Sequence, residues 1–318
     1  MNNSCRNVTT VCIYVVAISM YIILLWLLNS KMWFQVAINI NIYIILALSL
    51  NLIVGVGGMI SICHAAFYGI GAYISTLAMI NLGLSFFPAL LIAVMGTALL
   101  SLAISYPSLR LKGDYFVLGS LGFQGIVYFI LFNWVTVTNG PLGISKIPSP
   151  DLFGLEIRGE ALWFLFSLVI MLVCVGLIAL VINSPFGRAL KAMRDDEVAA
   201  GTLGKNVTWF KIRTFALAAG FAAVAGAMFS GCMRYIDPTS FTLMESVLIL
   251  SIVIIGGAGN LKGPVIGAIV LVTLPTLLLY VGMPSTVGDN VRLVIYGLAM
   301  ILLIRWRPQG LLGDYNFK

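Results

Sequence analysis

The chain has 318 residues, of which 61% are hydrophobic and only 9% charged. Soluble proteins carry about 25% charged residues; so few here cannot cover a globule of this size, and a soluble fold is excluded, as is disorder, which needs low hydrophobicity and high net charge. What remains is an all-α, polytopic membrane protein whose net charge of +7 has to be explained by its placement along the chain.

No Asp, Glu, Lys or Arg occurs between Lys31 and Arg110, and residues 115–145, 161–187, 214–233, 263–288 and 293–304 are equally free of them. A charge at the centre of a spanning helix costs roughly 2.5–3.5 kcal/mol on insertion scales, and a crossing takes about 20 apolar residues. The empty stretches therefore predict about ten transmembrane helices, at 10–28, 34–54, 60–81, 87–106, 115–134, 161–183, 213–235, 244–259, 264–282 and 290–306. The first reads as a span, not a leader: its apolar run from Val8 to Leu28 exceeds the roughly 7–15 residues of a signal h-region. Residues 135–160, with Pro141, Pro148, Pro150, Asp151, Glu156 and Glu160, predict an ordered external loop holding a short strand or helix.

Alternating the spans from a cytoplasmic 184–212 segment puts thirteen Lys and Arg inside and five outside, with both termini inside. This asymmetry is the positive-inside signal. It leaves no contiguous basic surface, so nucleic acid is not an expected partner; membrane lipid is. The five cysteines, Cys5, Cys12, Cys63, Cys174 and Cys232, form no Cys-x-x-Cys pair and predict neither a disulfide framework nor a zinc site.

Two spans are interrupted by glycine. Gly55, Gly57 and Gly58 precede Ser61 and His64; Gly256, Gly257 and Gly259 precede Asn260, Gly263 and Pro264. Freed backbone groups in a broken membrane helix must be satisfied inside the protein or at a water-filled cavity, and transporters place such breaks at their pathway. The pathway candidates are therefore Gly57, Gly58, Ser61, His64, Gly256, Gly257 and Asn260, the two regions reading as copies within an internal repeat. Close helix packing by small residues explains any one of these glycines equally well. His64, the lone histidine, is most simply a hydrogen-bonded structural residue and cannot make a zinc site alone.

The segment 184–212 is the one long inside loop. Ser184-Pro185 reads as a helix start, and the helix is expected to run to Leu203 and stop at Gly204. Arg188, Lys191, Arg194, Asp195, Asp196 and Glu197 make it amphipathic, and Ala199, Ala200 and Gly201 flatten its end. No Gly-x-x-x-x-Gly-Lys-Ser/Thr phosphate loop occurs in this sequence, so no ATPase site is expected in it.

The run Glu197-x-Ala199-Ala200-x-x-x-Gly204 resembles the Glu-Ala-Ala…Gly loop of ABC-importer permeases, and with residues 187–194 it resembles the LivM-type permease subunit of branched-chain amino-acid importers. Further pieces follow in that family's order: Ser61-Ile62-Cys63-His64-Ala65-Ala66-Phe67, Gly69-Ile70-Gly71-Ala72-Tyr73, Lys112-Gly113-Asp114-Tyr115-Phe116, Thr138-Asn139-Gly140-Pro141-Leu142-Gly143-Ile144, Gly256-Gly257-x-Gly259 with Gly263-Pro264, and Arg307-Pro308-Gln309-Gly310-Leu311-Leu312-Gly313. Cys63, Gln124-Gly125 and Asn139 depart from the family pattern.

The resemblance implies one permease domain over residues 1–318 of a bacterial inner-membrane ABC importer. Its partners would be a second homologous permease, two cytoplasmic ATPase subunits and a periplasmic or lipid-anchored binding protein. This chain would bind no cofactor, ATP and Mg being used by the ATPase subunits. Arg188, Arg194, Glu197, Ala199, Ala200 and Gly204 would couple it to the ATPase. The cargo would be a branched-chain or other small neutral amino acid; a charge-poor path fits urea or short-chain amides as well. An ion-coupled secondary carrier is the distant alternative, since such carriers usually keep an ionisable group in mid-membrane and only His64, Glu245 and Arg292 come near that. An intramembrane enzyme lacks its acid cluster.

Overall fold

The computed structural model describes residues 31–108, 113–152, 155–157, 159–280 and parts of 291–312. Helix α1 (Lys31–Asn51) continues through a π-helical turn, Leu52–Val56. Then come α2 (His64–Asn81), α3 (Phe86–Ser108), α4 (Asp114–Asn133), the short α5 (Val135–Thr138), α6 (Glu160–Asn183), α7 (Pro185–Asp195), α8 (Glu197–Thr202), α9 (Val207–Met233), α10 (Leu243–Gly256) and α11 (Lys262–Tyr280). Four two-residue strands are β1 (Ile144–Ser145), β2 (Asp151–Leu152), β3 (Leu155–Glu156) and β4 (Tyr235–Ile236).

Among the described residues, five helical stretches are long and apolar enough to cross a membrane: Lys31–Val56, Phe86–Ala103, Asp114–Asn133, Glu160–Asn183 and Val207–Met233. They coincide with five of the ten expected spans. Two others are shorter than expected, since α2 begins only at His64 and α10 has 14 residues, while α11 has the 19 residues expected, set two residues earlier. At 1.5 Å per residue α10 reaches about 21 Å, less than the roughly 30 Å hydrocarbon core. The expected span 10–28 and both chain ends lie outside the described residues, and 290–306 is described only in part.

Burial, not apolarity, sorts the helices into centre and rim: the apolar window of Lys31–Val56 is 83% buried, against 28% for Phe86–Ala103 and 39% for Glu160–Asn183, both of them at least as apolar. α1 packs against α6, α9, α10 and α11. α9 is the second hub, packing most extensively on α2 and α3. Its Ala218, Ala219, Ala222, Ala223, Ala225 and Ala227 are all fully buried, and Ala223 lies against Gly71 of α2. Without a hydrophobic drive between membrane helices, such small residues admit the close van der Waals approach that holds them together. Gly71 of α2 is the tightest case: a Cβ there would lie 2.3 Å from Ala223 Cα. On the rim, Leu91, Met95 and Leu99 of α3 repeat every fourth residue and are exposed, a lipid-facing stripe.

Segments that the charge rule assigns to one side meet at one end of the bundle. In the 135–160 loop, β1 pairs antiparallel with β4, Ile144 opposite Ile236 and Ser145 opposite Tyr235, while β2 pairs with β3. The loop is ordered, as expected. Asn139, a departure from the family pattern, has φ 60°, a conformation that asparagine tolerates after glycine, and its Nδ2 donates to Gly143 O at 2.7 Å. Residues 55–58, 194 and 257–260 gather at the opposite end.

Candidate functional site

The first break begins where α1 runs out. The last carbonyls of a helix have no intrahelical partner. Here Leu52 O accepts from Gly57 N (3.0 Å), Ile53 O from Met59 N (3.0 Å) and Val54 O from Gly58 N (3.2 Å). Gly55 O accepts from Arg194 Nη1 of α7 at 2.7 Å. Two glycines make room. A Cβ on Gly55 would lie 2.4 Å from Gly259 N, and Gly58, at φ +69°, would meet Arg194 Cγ at 2.5 Å.

The second break faces the first. α10 stops at Gly256, and Gly257 and Gly259 take φ of 106° and 97°. Asn51, fully buried on α1, accepts from Gly259 N at 3.0 Å and donates to Asn260 O at 2.8 Å. Residues 310–312 close the other flank: Leu311 N donates to Ile255 O and Leu312 N to Gly256 O, both at 3.0 Å. Asn260 Nδ2 donates to Leu312 O, and its Oδ1 accepts from Gly263 N at 2.8 Å, capping the start of α11.

Between the breaks, the N-terminus of α2 is sunk into the bundle, level with Ser49 of α1, whose Oγ is 2.7 Å from His64 Nε2. A buried helix start needs acceptors for its free N–H groups. Ser120 Oγ takes Ile62 N (3.0 Å), Ser246 Oγ takes Ala65 N (2.9 Å) and Gln124 Oε1 takes Ala66 N (2.8 Å). Gln124 also accepts from Ser246 Oγ (3.1 Å) and donates to Phe241 O (2.8 Å). One amide thus joins α2, α4, α10 and the turn before α10. Ser61 Oγ lies 3.1 Å from Cys63 Sγ.

α7 starts as expected, Ser184 Oγ accepting from Gly187 N with Pro185 at the first position. Its inner stripe, Gly187, Leu190 and Met193, is buried, and Phe186 stacks on Phe210 of α9 at 5.3 Å. The single helix expected to Leu203 is two. Asp196 is extended (φ −152°, ψ 104°), and its side chain accepts from Ala199 N at 2.9 Å, capping α8. Asp is a strong N-cap, and here that preference ends α7 and starts α8. The stop at Gly204 holds: with φ +77° it donates to Gly201 O while Lys205 N donates to Ala200 O, a Schellman end.

The expected coupling residues divide by direction. Arg188, Glu197, Ala199 and Gly204 are exposed, beside Val198 (77%) and Leu203 (81%), two large apolar side chains in the open. Arg188 Nη1 donates to Asn183 O at the end of α6, and Glu197 pairs with Lys211 of α9 at 2.7 Å. Ala200 is buried against the bundle. Arg194 turns inward to Gly55, its Nε and Nη2 held by Asp195 Oδ1 at 3.0 and 2.9 Å. Among the pathway candidates, Gly57, Ser61, His64, Gly256 and Gly257 are buried against protein, Asn260 is half-buried and Gly58 is exposed. Asn51, Ser120 and Ser246 are joined to these positions without having been singled out in the sequence. The available signal was an amide or hydroxyl inside an otherwise apolar span.

The bundle also carries a groove of about 950 Å³ between α3, α6 and α9, lined by side chains such as Phe87, Val94, Phe166, Cys174 and Phe221. A zwitterion would find no hydrogen-bonding partner there, so this groove is no amino-acid site.

The family described as "Branched-chain amino acid transport system / permease component" matches residues 32–304. The protein named high-affinity branched-chain amino acid transport system permease protein LivM of Salmonella typhimurium is 36% identical over 303 residues, covering 87% of this chain and 69% of its own. The protein of the same name in Escherichia coli is 37% identical over 296 residues, covering 85% and 68%. The probable branched-chain amino acid transport permease protein LivM of Methanocaldococcus jannaschii is 26% identical, covering 84% of each chain. With its ordered motifs, its membrane-length helices and a family match spanning most of its length, this chain belongs to the branched-chain amino acid transport permeases.

Proposed function

We propose that this chain is one permease subunit of an ATP-driven importer of branched-chain amino acids in the bacterial inner membrane. Residues 1–318 form a single permease domain, and 184–212 is its coupling loop. A second homologous permease completes the pathway, two cytoplasmic ATPase subunits use ATP and Mg, and a periplasmic or lipid-anchored binding protein delivers the solute; this chain itself holds no cofactor. The observation that carries the reading is the 36% identity over 303 residues with a relative named for this transport. Urea or short amides are not favoured, because the three relatives above are all named for branched-chain amino acids.

The outward face of α7 and α8 supports an ATPase dock. Val198 and Leu203 project from the capped helix α8 and its end, and Arg188 and Glu197 are exposed charges on the same 184–212 segment. Exposed apolar side chains rimmed by charge suit a protein partner. Gly57, Gly58, Ser61, His64, Gly256, Gly257 and Asn260 are the segments proposed to move as the pathway opens. The test uses proteoliposomes holding the complete transporter and its binding protein. Expected are ATP-dependent uptake of labelled leucine, isoleucine or valine and loss of the ATPase from a Leu203→Asp variant. Uptake of urea in place of leucine, or ATPase retention by Leu203→Asp, overturns the corresponding part. A cysteine placed at Asp195 is expected to be labelled from the opposite side to one placed at Lys146.

A further inference from the structure

We propose that two hydrogen-bonded clasps, Arg194 on Gly55 and Asn51 on Gly259 and Asn260, join α7 to both helix breaks and make them move as one unit. The inference rests on the permease reading and adds to it the route by which displacement of the coupling loop reaches the membrane.

The hydrogen-bond accounting of α1 leads to the first clasp. Three of its terminal carbonyls are closed by the chain's own N–H groups, and Gly55 O is closed by Arg194. The guanidinium is divided by geometry: Nε and Nη2 face Asp195 while Nη1 reaches Gly55. A planar fork of fixed donors serves two acceptors at once. The arginine stem lies on Gly58, where a Cβ would come within 2.5 Å of Arg194 Cγ, so this segment cannot slide without displacing the arginine. Arg194 is thus a positioning residue, its side chain 13% exposed and turned away from the outer face of α7.

The second clasp starts one helical turn earlier. Asn51 spends both ends of its amide on the second break, accepting from Gly259 N and donating to Asn260 O. An amide offers both functions, whereas a carboxylate only accepts. Asp at this position would place a charge against Asn260 O. Gly55 and Gly259 meet backbone to backbone between the clasps. A continuous series of bonds therefore runs from α7 to α10 and α11. Coupling requires an element with two discrete arrangements that both sites bias, and breaks freed from the helical ladder are where such an element can turn.

The test compares the complete transporter in proteoliposomes, with saturating binding protein, in wild-type, Arg194→Gln, Arg194→Lys, Asn51→Asp and the Arg194→Gln/Asn51→Asp double form. Solute moved per ATP hydrolysed is measured after ATPase content has been determined. Arg194→Gln and Asn51→Asp are expected to keep their ATPase subunits and hydrolyse ATP, with yield per ATP reduced at least about five-fold, the low end of allosteric couplings. Arg194→Lys, retaining one donor for Gly55 O, recovers most of the yield. The double variant is no worse than the weaker single, because both cut one chain of bonds. Hydrogen exchange of the same complexes speeds up over residues 52–60 in Arg194→Gln and is unchanged over Val207–Met233. Wild-type yield in Arg194→Gln overturns the proposal. So does its loss of ATPase, which would put Arg194 at the partner contact, and so does unchanged exchange over 52–60. A wild-type complex without ATP-driven uptake sinks the permease reading instead, whatever the variants do.

Discussion

Replacing Gln124 with methionine keeps the side chain's bulk and removes its amide. Gln124 is 1% exposed, and its three bonds are not equivalent. Ala66 N keeps a second acceptor in Cys63 O at 3.1 Å, and Ser246 Oγ still accepts from Ala65 N. Phe241 O loses the amide donor. Interhelical hydrogen bonds in membranes average about 0.6 kcal/mol each, so the bonds to Ala66 N and Ser246 Oγ together contribute about 1 kcal/mol. A buried carbonyl left unpaired costs about 1–3 kcal/mol, which raises the expected destabilisation to about 2–4 kcal/mol. Ser105→Ala is the control: its hydroxyl bonds Ser101 O and Leu102 O of its own helix, a back-bond whose removal should cost under about 0.5 kcal/mol. Unfolding by sodium dodecyl sulfate titration, followed by tryptophan fluorescence, measures both. If Gln124→Met loses no more than Ser105→Ala, the buried start of α2 does not depend on its Gln124 cap, and that part of the account of the α2 start fails.

Gly71→Leu should prevent α2 from seating on α9, because Ala223 Cα stands 2.3 Å from the new Cβ, whereas Gly176→Ala, with open space around it, should leave yield and monodispersity in detergent unchanged. Gly204→Val forces a β-branched residue to φ +77°; the local end of α8 should weaken by about 1–2 kcal/mol, read as faster hydrogen exchange at the Lys205 amide with the remaining helices unaffected. Lys211→Met removes the pair with Glu197, a carboxylate 55% exposed, and should cost no more than about 1 kcal/mol, in a detergent unfolding titration whose variant-to-wild-type difference shrinks as salt is raised.

Much of this was legible beforehand because the bilayer imposes a coarse rule. Lipid tolerates neither charge nor unpaired backbone, so charge-free runs marked α1, α3, α4, α6 and α9 with boundaries a few residues off. Both glycine breaks were visible because glycine costs about 1 kcal/mol in a helix interior and must answer some other need. Ser184-Pro185 and Gly204 marked the start of α7 and the stop after α8. The division at Asp196 was not read, although its signal is local: the same aspartate that looked like one more surface charge has a backbone N–H three residues on to cap.

The direction of individual side chains lay beyond the sequence. Arg194 and Arg188 are both cations in one amphipathic helix, yet one clasps Gly55 and the other lies in the open. Asn51 is one asparagine among several until α10 stops beside it. Composition and spacing carry information about the solvent a segment lives in, because that preference is a property of each residue summed over a run. Which donor meets which acceptor depends on how helices far apart in sequence, such as α1, α7 and α10, come to lie together, and so emerged only from the folded bundle.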